Sequence, residues 1–147
     1  MAQSGGNNQK IRVLDQLEWA PLFELIPEIE ATKQFGEMIG GEMLEDGTVK
    51  LPYFEPAEIV SIFAEIVISL DLIPDWNWIE WEEGDDILCN EGQDYEKLRI
   101  VVLCQLLILI VRADEFDEGF MVSNFEDGTV LKILKALRRK INLISRN

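Results

Sequence analysis

Residues 98–111 read LRIVVLCQLLILIV, the most apolar stretch of the chain. Only Arg99 and Gln105 interrupt its run of apolar side chains. Fourteen helical residues span about 21 Å at ~1.5 Å per residue, which is too short for a hydrocarbon layer of ~30 Å. The stretch therefore predicts a buried core helix, which Asp94 can cap and which we place at about 94–113.

Further helices are predicted on both sides of this central helix. The tetrapeptide Glu55-Pro56-Ala57-Glu58 has a proline and two acids where the first turn of a helix favours them. Apolar side chains then recur every three or four residues, as they do on one face of a helix. The predicted helices lie at about 55–70, 119–126 and 129–144, with a shorter one at 33–39. The fold class is therefore predicted to be mainly α.

A small β hairpin is predicted at about 42–51, so the fold has a minor α+β character. Two short β-prone runs flank Asp46-Gly47 there, a dipeptide typical of hairpin turns. With 147 residues the chain is long enough to bury one hydrophobic core without disulfides or metals. The first nine residues are rich in Gly and Asn and lack an apolar run. We predict a disordered tail at 1–9 and a single globular domain at 10–147.

Charge is distributed unevenly along the chain. It carries 28 acids and 13 bases, a net charge of −15. The segment Leu51–Glu96 holds thirteen acids and no Lys or Arg, whereas six bases between Lys132 and Arg146 follow the last acid, Asp127. Such a surface repels nucleic acid and anionic membranes, so neither is an expected partner. It suits a basic protein partner, or else it keeps a cytoplasmic protein soluble.

Histidine is absent and the two cysteines are poorly placed for chemistry. Without histidine the usual serine and cysteine triads, His-ligated zinc and imidazole pH switches are excluded. Cys89 and Cys104 are fifteen positions apart, which matches no zinc-ligand spacing. We interpret them as reduced packing residues of a cytoplasmic protein. No metal and no cofactor is expected.

The segment Asp75–Trp81 holds three of the four tryptophans. It is predicted to be a short strand or a packed loop. Paired indole rings beside carboxylates can stack a sugar or a base, or the rings can fill space between helices. The candidate ligand-binding residues are Trp76, Trp78, Trp81 and Glu80, with Asp75 as an alternative to Glu80.

A second cluster of charged residues, Arg112–Gly119, follows the central helix. Four carboxylates come after an arginine there, and two of them, Asp114 and Glu118, are candidates for an acid–base pair. Arg112 would then orient an anionic group. Alternatively Arg112 forms an ion pair with one of these acids and stabilises a chain reversal. The spacing of oxygens does not match a calcium loop.

One pentapeptide occurs twice. Glu45-Asp46-Gly47-Thr48-Val49 recurs as Glu126-Asp127-Gly128-Thr129-Val130. The first copy lies in the predicted hairpin and is followed by Pro52, whereas the second precedes a predicted helix. An Asp-Gly turn suits both settings, so we interpret the repeat as shared turn chemistry and not as a duplicated module.

The C-terminal half resembles a known family. Its motifs are Arg112-x-Asp114-Glu115-Phe116-x-Glu118-Gly119 and a final helix beginning Gly128-x-Val130. They are similar to those of an uncharacterised family of small prokaryotic domains of unknown function, whose pattern would cover about 51–137. The resemblance implies a hairpin with helices, and Asp117 departs from its pattern. It also implies that four residues belong to one structural or functional element: Arg112, Phe116, Glu118 and Gly119.

Three functional hypotheses follow. The first is a non-catalytic acidic interaction domain that uses Leu51–Glu96 to bind a basic protein. The second is a small-ligand-binding protein or a carboxylate-based hydrolase with a Trp-lined pocket. The third is an acidic mimic of nucleic acid that inhibits a DNA-binding protein. The central apolar helix is either buried within one chain or completed across a homodimer, and the sequence leaves both open.

Overall fold

A computed structural model of the chain describes residues 11–145, and the predicted tail at 1–9 lies outside them. The strands are β1 (Gly36–Ile39) and β2 (Tyr53–Pro56), and single 3-10 turns lie at Trp78–Glu80 and Tyr95–Lys97. The predicted fold class, mainly α with a small β hairpin, is confirmed. The helices are α1 (Gln16–Phe23), α2 (Leu25–Ala31), α3 (Glu58–Leu70), α4 (Glu83–Cys89), α5 (Ile100–Ala113), α6 (Phe120–Glu126) and α7 (Thr129–Ser145).

The central helix α5 is buried among the other helices of the same chain. Eight of the nine side chains from Leu103 to Val111 are buried. Helix α5 contacts α3, α6 and α7. Its start differs from the predicted 94–113, because Asp94 accepts a hydrogen bond from the Glu96 backbone N–H (3.0 Å) and thereby caps a separate 3-10 turn. The α-helix itself begins at Ile100, after an extended Arg99. None of the described helices combines the length and apolar character needed to cross a bilayer.

Helix α7 has one apolar face in the core and bases on the other faces. Its buried residues include Val130, Ile133, Leu134, Leu137 and Ile141. Two of its bases pair with acids of neighbouring elements. Lys135 contacts Glu30 of α2 at 2.7 Å and Arg139 contacts Glu96 at 2.6 Å. Such half-exposed pairs contribute at most about 1 kcal/mol each, so apolar burial is what holds α7 in place.

The hairpin is longer than predicted and its two strands lie outside 42–51. β1 pairs antiparallel with β2 from Gly36↔Pro56 to Ile39↔Tyr53. The predicted segment is only the tip, where Met43 forms a bridge with Val49. The helix predicted at 33–39 is wrong, because its second half is β1. Helix spacing is ambiguous over seven residues, and the strand forms through a partner that is distant in sequence.

Two polar side chains of α5 lie inside the core. Gln105 is fully buried, and neither its amide nitrogen nor its oxygen has a hydrogen-bond partner among the described residues. Burial raises the pKa of the Cys104 thiol to about 12. Cys104 is thus a packing residue as predicted, whereas Cys89 is exposed at the end of α4 and is not. Both thiols are free.

Candidate functional site

A groove of about 460 Å³ opens between the ends of α3 and α5. Its remaining wall is the segment that connects α3 with the 3-10 turn at Trp78–Glu80. We call it the Trp78 groove. Its apolar floor includes Val67, Leu72, Ile108 and Val111, and its rim includes Asp71, Asp75, Trp76, Trp78, Arg112, Glu115 and Phe116.

Trp78 is held at the rim by hydrogen bonds between the residues that flank it. The Asn77 side chain accepts a hydrogen bond from the Ile79 backbone N–H (3.2 Å) and donates one to the Glu80 carboxylate (3.0 Å). These bonds fix the 3-10 turn that begins at Trp78. Glu80, a predicted ligand-binding residue, therefore supports the turn and does not line the groove.

The other two predicted tryptophans are tied to the protein body. The rings of Trp76 and Trp81 meet edge to face with centroids 5.4 Å apart. Trp81 packs on Gly84, where an added Cβ would lie 2.6 Å from the indole and 2.5 Å from Leu109. This close approach lets α4 sit on α5. Trp76 also reaches the groove wall, whereas Trp81 stands behind it.

Phe116 is the aromatic partner of Trp78 across the groove. Its ring centroid lies 6.0 Å from that of Trp78, with the two planes tilted by 41°. The Phe116 side chain is 77% exposed, an unusual state for so large an apolar group. A second hollow of about 370 Å³ shares Trp78, Ile79 and Phe116 with the groove and is completed by Ala113 and Asp117. The ring pair is therefore common to two adjoining depressions.

The charged rim of the Trp78 groove is mostly acidic. It carries three carboxylates and one guanidinium. That guanidinium, Arg112, forms an ion pair with Glu115 at 3.6 Å. This is one of the pairings that the sequence left open for Arg112. The carboxylates of Asp71 and Asp75 stand on the opposite wall, on the segment that follows α3.

Asp71 and Asp75 both lie in left-handed backbone. Their φ angles are 47° and 62°, and no other non-glycine residue among those described has a positive φ. Asp71 ends α3 in this conformation, and its N–H bonds to the Ile68 carbonyl. Aspartate tolerates left-handed backbone better than most residues do, but at a cost relative to glycine. Two strained positions therefore coincide with the acidic wall of the groove.

The proposed acid–base pair is not assembled at the groove. Asp114 accepts a hydrogen bond from the Met121 backbone N–H (3.0 Å), which ties the end of α5 to the first turn of α6. Glu118 is exposed, and neither residue lines the groove. The structure thus brings together Trp76, Trp78 and Arg112 and leaves Asp114 and Glu118 apart from them. Among the described residues no group of three or more acids and cysteines is arranged to hold a metal ion.

Comparison with protein families gives one match. Residues 14–142 match a family of unknown function, DUF6508. The chain belongs to this family. No match was found among curated proteins or among solved structures.

Membership of DUF6508 agrees with the predicted resemblance to an uncharacterised domain family. The short motifs quoted for that resemblance, and a prokaryotic origin, stay predictions. The family match covers the Trp78 groove and every candidate site residue.

The stretch Arg112–Gly119 now has a structural description. Arg112 pairs with Glu115, Asp114 bonds to α6, and Gly119 immediately precedes α6. These contacts build a compact reversal between α5 and α6 that presents Phe116 outward.

Sequence reasoning named the tryptophans and Arg112 but missed two groups at the groove. Neither Phe116 nor Asp71 is among the ligand-binding candidates that the sequence indicates. Phe116 did carry a signal, because it is a lone aromatic ring among four acids. Asp71 carried none, since its place on the wall depends on how α3 ends and on which helix faces that end.

Proposed function

We propose that this protein is a non-catalytic acidic interaction domain that binds a basic segment of a protein partner. The observation that carries the proposal is the Trp78 groove, a concave and aromatic surface whose rim holds three carboxylates and a single base already paired with one of them. Interfaces concentrate binding energy on aromatic residues in such depressions, and complementary charge selects the partner.

The distribution of charge outside the groove supports the same partner. Of the thirteen acids in Leu51–Glu96, all but Glu96 are exposed, and this segment contributes the acidic wall of the groove. The basic face of α7, in contrast, is used partly within the chain, since Lys135 and Arg139 pair with acids of other elements. A basic partner would meet a predominantly negative field as it approaches the groove.

The test is fluorescence anisotropy with a labelled hexa-arginine peptide, and hexa-glutamate as the negative control. We expect hexa-arginine to bind at low salt and hexa-glutamate not to bind. Binding should weaken steeply as salt rises from about 0.01 M to about 1 M, because the Debye length falls from ~30 Å to ~3 Å. If neither peptide binds at low salt, the proposed function is wrong.

A matched pair of double variants connects this binding with the groove. Asp71→Asn with Asp75→Asn removes two acids from the rim, and asparagine tolerates the left-handed backbone of both positions. Glu42→Gln with Glu45→Gln removes two exposed acids from the hairpin tip and serves as the control. Equal losses from both variants would show that only the overall charge matters, and the groove would have no part in binding.

A second candidate is binding of a small molecule in the same groove, which its volume favours. About 460 Å³ lies within the ~300–1,000 Å³ typical of ligand pockets. A thermal-shift screen with free amino acids, amines, sugars and nucleotides tests this candidate. A ligand at 100 times its dissociation constant stabilises by ~2.7 kcal/mol, a readily measured rise in Tm. A rise that persists in Trp78→Leu would place the ligand elsewhere.

A further inference from the structure

We infer that the Trp78 groove recognises one arginine side chain of the basic partner, stacked against Trp78 and Phe116 and neutralised by Asp71 and Asp75. The inference rests on the proposed function and specifies its ligand. It concerns how one cationic group is held, whereas the proposed function concerns only whether a basic segment binds.

The ring pair supplies the surface for the cation. The two centroids are 6.0 Å apart and the planes are tilted by 41°, so the pair opens as a wedge and is not closed by parallel stacking. A cation within ~6 Å of a ring centroid is attracted by the negative face of the ring. Guanidinium is planar and weakly hydrated, and it stacks on aromatic faces more readily than ammonium does.

The acidic wall supplies the counter-charge. Arg112 and Glu115 neutralise each other across 3.6 Å, which leaves Asp71 and Asp75 as the unbalanced charges among the groove residues. A carboxylate matches guanidinium geometry and can accept two parallel hydrogen bonds from it. A neutral or anionic side chain would not compensate the negative charge of Asp71 and Asp75. The wall thus selects a cation over a neutral side chain of the same shape.

The adjoining hollow suits the aliphatic stem of the same side chain. It shares Trp78, Ile79 and Phe116 with the groove and adds Ala113 and Asp117, and the surface that it exposes is almost entirely apolar. Arginine buries its methylene stem along apolar surface and keeps its charged head in a polar setting. From the hollow to the groove the surface changes from apolar to aromatic and acidic. An arginine side chain changes in the same order, from its methylene stem to its charged guanidinium.

The backbone of the acidic wall is consistent with a binding role. Asp71 and Asp75 occupy left-handed positions that glycine or asparagine would adopt at lower energy. Strain of this kind clusters at ligand-binding sites.

The experiment is an NMR titration that follows the indole N–H signals of the four tryptophans, assigned by single Trp→Phe variants. The probes are three blocked pentapeptides, Gly-Gly-X-Gly-Gly, in which X is arginine, lysine or citrulline. Citrulline is the uncharged isostere of arginine. Trp19 is buried in the core and provides an internal reference signal. We expect arginine to shift the Trp78 signal at the lowest concentration, lysine to need more, and citrulline to have the weakest effect.

Two variants test the ring pair directly. Phe116→Ala should weaken arginine binding about two- to fivefold, the range for an exposed cation–π contact. Phe116→Leu keeps the apolar bulk and should weaken it similarly, which separates ring electrostatics from simple burial. Leu17→Ala changes an equally exposed apolar residue outside the groove and should leave binding unchanged. The Trp19 signal and far-UV circular dichroism report whether each variant is folded.

The outcomes separate this inference from the proposed function. If hexa-arginine binds without shifting the Trp78 signal, and binds the Phe116 variants as tightly as the unchanged protein, the inference is wrong. The proposed interaction domain would still stand. Citrulline or lysine binding as tightly as arginine would also overturn the inference. If hexa-arginine itself fails to bind, both ideas are wrong.

Discussion

The same five residues, Glu-Asp-Gly-Thr-Val, occur at 45–49 in the hairpin and at 126–130 between α6 and α7, and they fold alike at first. The glycine φ angles are 89° for Gly47 and 84° for Gly128. In both copies the aspartate accepts a hydrogen bond from the threonine N–H, at 3.0 Å in the hairpin and 2.9 Å before α7. The glycine N–H also bonds three residues back in each copy.

The two copies diverge immediately after the turn. Val49 is 54% exposed and bridges Met43, whereas Val130 is 0% exposed and lies in the first turn of α7. The Thr48 hydroxyl bonds back to the aspartate of its own turn at 2.6 Å. The Thr129 hydroxyl instead shares a hydrogen bond with the side chain of Tyr95.

The difference shows where local sequence stops determining structure. Five residues are enough to define an aspartate-capped turn with a left-handed glycine, because every bond in it is made within the segment or one residue beyond it. They are too few to decide between strand and helix afterwards, because that depends on what the valine can be buried against. The repeat is therefore shared turn chemistry in two different environments.

The largest expected contrast is between the two valines. Val130→Ala should lower the free energy of unfolding by ~2–3 kcal/mol, because it leaves a cavity in the core. Val49→Ala should change it by less than ~0.5 kcal/mol, since the side chain is half exposed. Urea denaturation of both variants measures the pair. Equal effects would mean that the hairpin tip is packed as tightly as the core.

The two glycines give the next largest effect. In neither copy would an added Cβ clash, because Gly47 has no neighbour within 4 Å and Gly128 has only the Lys132 side chain at 4.0 Å. The cost of Gly128→Ala is therefore the backbone strain alone, about 1–2 kcal/mol. Gly47→Ala should cost less in global unfolding, because a two-stranded hairpin can open without the core. Hydrogen exchange at β1 and β2 would detect that local opening.

The aspartates should differ by a smaller amount. Asp127→Ala removes the acceptor of the Thr129 N–H at the start of α7 and should cost about 1 kcal/mol. Asp127→Asn retains an acceptor and provides the control. Asp46→Ala should be nearly neutral, since no helix begins there. A hairpin variant as damaging as Asp127→Ala in thermal unfolding would contradict the view that only the second turn supports the core.

The smallest expected effects are changes in pKa, and the two threonines act on different groups. The hydrogen bond from the Thr48 hydroxyl, together with that from its backbone N–H, lowers the pKa of Asp46 below 3.8. Thr48→Ala should raise that pKa toward 3.8, as followed by carboxyl-carbon NMR. A lowered folded-state pKa adds stability above the unfolded value that is lost as pH falls through the folded value. In Thr48→Ala, the stability that is lost as pH falls through the folded-state pKa of Asp46 should therefore be smaller.

The second threonine should act on a tyrosine. Burial raises the pKa of Tyr95 above 10.0, and the hydrogen bond with Thr129 opposes that rise. Thr129→Ala should therefore raise the pKa of Tyr95 further, as measured by ultraviolet absorbance at alkaline pH. Tyr53→Phe removes the other tyrosine of the chain, so that the absorbance change reports Tyr95 alone. A fall in the Tyr95 pKa would mean that the threonine acts in the opposite sense.

Much of the helical fold could be predicted, since its signals are local and long. The apolar run of α5 and the apolar spacing in α3 and α7 all correspond to helices in the structure. The start predicted for α3 is wrong, because Glu55 and Pro56 lie in β2 and the helix begins at Glu58. The start of α5 could not be placed, because Asp94 caps equally well a 3-10 turn or an α-helix. The strands β1 and β2 were missed because each is four residues long and pairs across an intervening segment.

The candidate site was less predictable than the fold. Trp76, Trp78 and Arg112 were named from composition and do line one groove. Trp81 and Glu80 were named on equal grounds but support the groove from behind, through Gly84 and Asn77. Which ring of a tryptophan cluster faces outward depends on the neighbouring helices. No periodicity within seven residues contains that information.

The sequence by itself determined the family, the helical class, the central helix and the two Asp-Gly turns, because these depend on contacts between near neighbours or on long apolar runs. Only the tertiary structure decided that β1 pairs with β2, that Val130 is buried where Val49 is not, and that Trp78 meets Phe116. Each of these is a choice among distant partners. Val130 is buried because α7 packs its apolar face on α5, whereas β1 and β2 are held by the backbone pairing between them, and neither outcome can be derived from a single segment.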